Sequence, residues 1–350
     1  MLYTIMFFIM LINVVLSFSS WERYKYFIIS MSTIYCIWLM LYSGLREPGS
    51  SPDDINYIYN LYYGKLDFEW AFACVTDFFR FYRANESNYF LFVSMLTQVS
   101  LFVAIYIYSP RFLAFALLIY SSHVYLYRDL VQIRAGVAYN ILLLSMILLI
   151  NRKHLLSMIL YFFSIGFHKT SSLSLIPIIL NKVHVKTKYV VMIALLIYFS
   201  SFINFGTYLI NHFPLLTSML SENAIATYLE EGNEYAKELS PLNPTTIKLL
   251  VVFMCVSYFR DRIPEIKENN LLYYSYALSL IFISFFNSFN VFASRMSSMF
   301  AIVEIILIPA MVFYLRSKLL LFVFISIYTL QFSINYYLKG MSFGGFLYLL

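Results

Sequence analysis

Three arginines, Arg46, Arg134 and Arg295, sit at or just inside the outer ends of long apolar segments, in a chain that is 61% hydrophobic and only 12% charged. A guanidinium is costly to bury near a bilayer, so it ordinarily faces a protein interior or a wet cavity and acts there. It stays protonated, and its planar fork matches the oxygens of a phosphate. Several such groups at one membrane face predict a site for an anionic, phosphorylated lipid or sugar.

Four stretches could carry that chemistry. In the first, from Gly44 to Tyr57, an apolar span ends in a turn holding Arg46, Pro48, Gly49, Pro52, Asp53 and Asp54. Arg46 could hold phosphate, and Asp53 or Asp54 could accept a proton or bind sugar hydroxyls. A snorkelling arginine followed by a helix-capping aspartate is the structural alternative. The second stretch runs from Arg128 to Ala138. A regular helix puts Arg134 in its first turns facing Val131 and Ala138, with Arg128 and Gln132 on another face. Arg134 is deeper than snorkelling requires, although a surface Arg128–Asp129 pair would account for its neighbours.

The third stretch is Gly166-Phe167-His168-Lys169-Thr170-Ser171-Ser172. A histidine at the break of a short helical hairpin could be a general base or bind phosphate, or its polar neighbours could simply satisfy a broken backbone. The fourth, Asn287 to Met296, places Arg295 at the start of a span whose middle carries Glu304. That glutamate lies roughly 13 Å further along a helix. It must be protonated or paired inside the bundle, and an interhelical hydrogen bond is the favoured explanation.

The elements that position these residues are membrane helices. Aromatic residues make up 20% of the chain, and the mean hydropathy is +0.75. Apolar runs of membrane-spanning length recur from end to end. The expected architecture is all-α, a single polytopic membrane domain over 1–350 with about twelve spans: 2–19, 27–45, 88–108, 112–127, 130–150, 155–167, 170–181, 189–205, 246–259, 271–290, 296–315 and 319–337. The pair covering 155–181 is too short for two full crossings and reads as a hairpin of re-entrant length with His168, Lys169 and Thr170 at its tip. Lys and Arg gather in the loops around Arg23, Arg111, Arg152, Lys186, Arg260 and Arg316, which predicts that side to be cytoplasmic. Two long loops, 46–87 and 206–245, and both termini then lie outside. In the first loop Phe68, Ala71, Phe72, Val75, Phe78, Phe79 and Tyr82 recur at helical spacing, predicting an interfacial helix anchored by Trp70. The second carries Glu222, Glu230, Glu231, Glu234 and Glu238, an acidic run that most simply forms a solvated face.

Several chemistries are disfavoured. Cys36, Cys74 and Cys255 are scattered and odd in number, which suits neither a disulfide framework nor a zinc site. The absence of HExxH and paired CxxC motifs argues against a catalytic zinc, and the absence of a glycine-rich phosphate loop argues against ATP hydrolysis. No cofactor and no nucleic-acid partner is expected.

Taken in order, the four stretches resemble the EpsG branch of the Wzy-type polysaccharide polymerases, from the second span to Pro309. Arg46, Gly49, Asp53 and Tyr57 fit the family's pattern after its second span, with a longer glycine-to-aspartate gap that leaves Asp53 and Asp54 as alternatives. The approach to Asn88-Tyr89-Phe90 is similar to the family, as is Gln132-Ile133-Arg134 with Gly136 and Ala138. Ala135 stands where a glutamine is common, so Gln132 becomes the candidate for that glutamine's part. Phe167-His168-Lys169-Thr170-Ser171-Ser172 is the closest local match, and Arg295 with Pro309 completes the set.

The resemblance implies glycan polymerisation on the outer face of a bacterial inner membrane. A growing chain on undecaprenyl pyrophosphate moves to a repeat unit on a second such lipid. Negative charge builds on the departing pyrophosphate, which preplaced guanidinium groups stabilise. Under that scheme Arg134 and Arg295 grip the pyrophosphate, with Arg46 and Arg128 assisting. His168 is the first choice of base and Asp53 the second. Asp54, Tyr57, Gln132 and Lys169 join the substrate-binding set, and no metal is required. A chain-length regulator and a flippase are the expected partners, with surrounding lipid. Two other functions compete. A transporter or flippase would use Glu304 and the broken hairpin for ion coupling, but no repeat relates the two halves and the basic residues gather at one face. A membrane O-acyltransferase would use His168 and leave glycan length unchanged.

Overall fold

A computed structural model of the chain describes residues 2–183, 185–205, 208, 238–264 and 270–338, and the acidic run Glu222 to Glu234 lies outside them. Among the described residues every regular element is helical. The chain divides into two compact units, Met1–Ser172 with Ile308–Leu350, and Leu173–Leu307.

The first unit opens with α1 (Leu2–Gly44), a helix broken at Ser20, where φ is −145° and ψ is 38°. Its halves lie antiparallel. Asn13 Nδ2 donates to the Ile28 carbonyl and to Ser32 Oγ, both at 3.2 Å, and the Tyr3 ring stacks 5.1 Å from Trp38 and 5.3 Å from Tyr42. The two expected spans, 2–19 and 27–45, are the two arms of this hairpin. Two short helices follow, α2 (Asp54–Tyr63) and α3 (Trp70–Phe81). The helix α3 occupies the expected amphipathic stretch. It buries Ala71, Phe72 and Thr76, while Phe78 and Tyr82 stay exposed.

The long helix α4 (Glu86–Tyr108) begins at an Asn85 side chain that accepts the Asn88 N–H at 2.9 Å. After it come α5 (Leu113–Ile119), a π turn over Tyr120–Val124 and α6 (Tyr125–Arg128), which together form one buried path. Helix α7 (Ile133–Ile150) is the most enclosed of the four helices long enough to cross a membrane. Helix α8 (His154–Phe167) runs antiparallel to it: Ser145 and Ser157 exchange hydroxyl-to-carbonyl bonds at 2.8 Å, and Ser164 Oγ donates to the Ala138 carbonyl at 2.8 Å. The small side chain of Ala138 leaves room for that approach, since membrane helices pack closely where their side chains are small.

The turn between α6 and α7 points inward. Asp129 is buried and accepts Tyr120 Oη at 2.7 Å and Gln98 Nε2 at 2.6 Å, and Asn140 Nδ2 donates to the same Tyr120 hydroxyl at 2.6 Å. It is therefore not half of a surface Arg128–Asp129 pair. A Cβ on Gly136 would meet Asp129 Oδ1 at 2.8 Å, so the glycine lets this turn lie against α7.

The second unit holds α9 (Leu175–Val183), α10 (Thr187–Ser200), α11 (Pro244–Phe259), α12 (Leu271–Phe285) and α13 (Asn290–Ala301). One end is tied by Arg260 to Thr187 (2.7 Å) and by Asn270 N–H to Asn181 (2.9 Å); the other is tied by Asn287 to the Ser201 carbonyl (3.0 Å). Glu304 opens α14 (Glu304–Leu315), which bends by 45° from α13. Its carboxylate is fully buried, 2.9 Å from Lys248 Nζ and 3.0 Å from Tyr276 Oη. It is thus paired across α11 and α12, as an apolar interior demands. The first unit resumes at Ile308 within α14 and continues through α15 (Lys318–Ser333) and a π turn over Ile334–Leu338.

Among the described residues four helices are long and apolar enough to cross a membrane, and the bent α13–α14 pair makes up to five. The described residues form an all-helical membrane protein, and this count takes the α1 hairpin as one helix where the expected twelve counts two. Helices α8, α10 and α12 are apolar yet only 14, 14 and 15 residues long.

Candidate functional site

The first unit gathers one cluster of opposed charges on an aromatic floor, and its centre is Glu69, at the N-cap of α3. One carboxylate oxygen lies 2.6 Å from Arg134 Nη1. The other lies 3.1 Å from His168 Nδ1 and accepts the Lys169 backbone N–H at 3.2 Å. Three parts of the chain thus meet on one side chain: the first outer loop, the start of α7 and the turn after α8. The three side chains keep 16%, 26% and 17% of their surface, for Glu69, Arg134 and His168, so the cluster is sheltered but reachable.

Aromatic rings frame it. The Arg134 guanidinium sits 4.3 Å from the centre of Phe68 and 5.9 Å from that of Phe72, and Tyr57 packs on both rings. Tyr139 stacks beside His168 at 6.1 Å and lies under the Arg128 guanidinium at 5.4 Å. Arg128 in turn donates to Gln132 Oε1. Cation–π contacts of this kind orient a guanidinium while leaving several of its N–H groups for a ligand. Arg134 Nε is buried and makes no hydrogen bond among the described residues.

Helix packing sets this geometry. Trp70, the residue after Glu69, lies over Gly166, where a Cβ would be 2.4 Å from Trp70 Cε2, and also meets Phe163 at 5.5 Å. The bare backbone of Gly166 thus seats the start of α3 on the end of α8, which brings Glu69 to His168. Trp70 remains 54% exposed, as an interfacial anchor would be.

Burial would raise the Glu69 carboxyl, but the His168 hydrogen bond and the Arg134 charge outweigh it and hold the group down at about 2. Burial pushes the His168 imidazole below its usual value, Glu69 pulls it back in part, and Arg134 and Arg128 oppose that pull. Both shifts describe one state near neutrality, an ionised carboxylate accepting from a neutral imidazole. Nδ1 then carries the proton, and the Nε2 lone pair faces away from Glu69 as a base. Burial pushes the Tyr57 hydroxyl up to about 12, against the charge and hydrogen bond of Arg134, so it stays a neutral donor.

Other residues singled out in the sequence take different positions. Arg46 and Asp54 are 1% and 0% exposed and bind each other through Nη2–Oδ1 at 2.6 Å and Nε–Oδ2 at 3.3 Å. Arg46 also donates to the Ser43 carbonyl at 2.6 Å and covers Phe90 at 4.4 Å. Asp54 further accepts the Ser51 N–H at 3.2 Å. The pair fixes the turn from α1 into α2. Asp53 is half-buried at the N-cap of α2, and its charge reaches Tyr57. Lys169 contributes its backbone N–H while its side chain is exposed. Arg295 is half-buried on α13, in the second unit. No group of histidine, cysteine and acidic side chains suited to a metal occurs among the described residues.

Glu69 is the residue that inspection of the sequence missed. It is a single carboxylate in a loop, and its partners stand 65 and 99 residues away. The available signal was its place directly before the predicted amphipathic helix, where an acidic N-terminal residue is favoured for local reasons alone.

Comparison with known proteins bears on the whole chain. The model of the EpsG family matches residues 29–349, a range that contains Glu69, Arg134, His168 and Arg295. An amylovoran biosynthesis protein, AmsC of Erwinia amylovora, is 24% identical over 329 residues, covering 88% of this chain and 86% of that protein. No solved structure matches.

Proposed function

The chain belongs to the EpsG family, and from that premise we propose that it is a polysaccharide polymerase of the Wzy type, a membrane glycosyltransferase of exopolysaccharide biosynthesis. The similarity to an amylovoran biosynthesis protein supports a polysaccharide product. The substrates we assign are two undecaprenyl-pyrophosphate-linked glycans at the outer face of a bacterial inner membrane, one carrying the growing chain and one a single repeat unit.

The observation that carries the mechanism is the bridging of Arg134 and His168 by Glu69. His168 Nε2 takes the proton of the acceptor hydroxyl as its oxygen attacks the donor's anomeric carbon. The bond from that carbon to the pyrophosphate oxygen breaks, and the electron pair leaves with undecaprenyl pyrophosphate. Glu69 holds the imidazole by Nδ1 and stabilises the imidazolium as it forms. Arg134 keeps N–H groups beyond the one on Glu69, and with Arg128 it meets the charge that grows on the leaving group. Phe68, half-buried, offers an apolar face to a sugar ring, while the buried rings of Tyr57 and Tyr139 back Arg134 and Arg128. Arg295 remains a second proposed grip on pyrophosphate, from the family pattern. Arg46 and Asp54, engaged with each other, serve to hold the first outer loop.

Glu304, the feature that favoured a transporter, has Lys248 and Tyr276 as partners. Acyl transfer could also use His168, and the product separates the two chemistries. Surface glycan is run on a gel from wild type, a deletion strain, and His168→Ala, Glu69→Gln and Arg295→Ala at equal expression. Polymerase variants lose the long ladder and store single lipid-linked repeats. An intact ladder in the deletion strain refutes the proposal; loss of an ester at constant length would make the protein an acyltransferase.

A further inference from the structure

At the other end of the first unit lies a cavity of about 640 Å³ that the polymerase chemistry does not use. Its rim carries Arg111, Arg316 and Lys318, and its apolar wall is formed by Val15, Phe18 and Leu321. Helix α4 separates it from the site above. Tyr89, near the start of α4, touches Phe72 at 6.1 Å, whereas Arg111 follows the end of that helix. Twenty-three residues of α4 place the two ends roughly 35 Å apart.

Of the cations at this rim, Arg111 is held by packing, while Arg316 and Lys318 are exposed. Arg111 lies in the short turn Pro110–Phe112, its carbonyl accepts Ser17 Oγ at 2.7 Å, and its guanidinium stands 4.9 Å from the centre of Phe313. Arg111 Nε is buried and makes no hydrogen bond among the described residues. Arg316 turns the chain between α14 and α15 with φ at +49°, a left-handed conformation that costs an arginine energy. Among the described residues none of the three makes an ion pair. Burial and the charge of Arg316 push the Arg111 guanidinium down from its usual value, and only Glu22 opposes them. Like charges beside a partly apolar cavity, with one carboxylate in range, leave a positive site that an anion would complete.

We propose that this cavity binds the phosphodiester headgroup of an anionic glycerophospholipid from the leaflet opposite the Glu69–His168 cluster. The guanidinium forks suit phosphate oxygens, and the wall of Val15, Phe18 and Leu321 suits the glycerol and first methylenes of the chains. General surface charge would attract anionic lipid without a cavity. Here the charges and the apolar wall converge on one space.

The full chain is placed in nanodiscs of phosphatidylcholine with a minor share of phosphatidylglycerol, and the lipid retained on release is weighed by native mass spectrometry. Wild type should keep phosphatidylglycerol in preference to phosphatidylcholine. The triple variant Arg111→Gln, Arg316→Asn and Lys318→Gln should keep at least about tenfold less, following the typical gain per basic residue at a charged surface. The control Arg23→Gln with Lys25→Gln removes two cations from the same end, outside the cavity lining, and should keep as much as wild type. Equal losses in the triple variant and the control overturn the proposal, as does equal retention of the two lipids by wild type. Added inorganic phosphate that binds in place of lipid would make this a free-anion site and equally overturn it. If the triple variant fails to fold, the pair Arg316→Asn and Lys318→Gln decides, since both side chains are exposed. It should lose about fivefold, and no loss refutes the lipid site.

Discussion

Glu69 determines which nitrogen of His168 can act. With the carboxylate ionised, Nδ1 keeps its proton and Nε2 is the base, so activity should rise with pH through a His168 value below the ordinary one. Glu69 raises that value, so Glu69→Gln lowers it further. The acid limb of the rate profile should move to lower pH while the plateau falls by about a hundredfold, because the imidazolium loses its support. A profile measured on lipid-linked repeats with the plateau unchanged would remove Glu69 from the mechanism. Stability should follow the same carboxylate. Its value falls from 4.5 to about 2 in the folded protein, so its contribution is present above 4.5 and is lost as pH drops towards 2. Melting temperatures taken across that window should decline less steeply for Glu69→Gln than for wild type. Parallel declines would mean that the carboxylate adds nothing to stability there.

At the scale of elements, the site depends on how closely α3 meets α8. Gly166 allows contact with the Trp70 indole, and a methyl group would need to displace that ring by about 1 Å to reach ordinary contact. Gly166→Ala should therefore keep the helices but swing Glu69 from His168, lowering the polymerisation rate by tens to a hundredfold. Adding Trp70→Phe, which removes the outer part of the indole including the clashing Cζ2, should restore part of it. Full activity in Gly166→Ala alone would show that this contact does not align the site. Such a contact explains what was legible in the sequence and what was not. The amphipathic repeat from Phe68 to Tyr82 announced α3, because periodicity is a local property. Arg134 and His168 stood out because polar groups near apolar spans are expensive. Glu69 and Asp129 did not, because each earns its role from partners brought together only by folding. A surface pair with Arg128 was the structural alternative for Asp129, yet it lies among Gln98, Tyr120 and the bare Gly136. Arg46 and Asp54 were visible as a charged turn, but only the fold reveals that they neutralise each other.

Across the whole molecule, the two units use buried charge in different ways. The first encloses Arg46 with Asp54 but leaves Glu69, Arg134 and His168 partly open, whereas the second encloses Glu304 completely and keeps Lys248 at 12% exposure. Enclosure on that scale marks a structural pair, because removing one partner strands the other in an apolar interior. Lys248→Met alone should cost about 3–5 kcal/mol, seen as a lowered melting temperature and reduced yield in detergent. Replacing both groups, Lys248→Met with Glu304→Leu, leaves no charge stranded and should recover most of that stability, with Tyr276 losing one hydrogen bond. The double variant should also rebuild the long glycan ladder in a deletion strain. Ion-coupled transport would give the opposite result, because it needs a carboxylate that gains and loses its charge within the membrane. A stable double variant without function would assign chemistry to Glu304 and move the centre of activity into the second unit. Recovery of both stability and ladder would leave the second unit's buried pair as scaffold and keep the reaction with the Glu69 cluster.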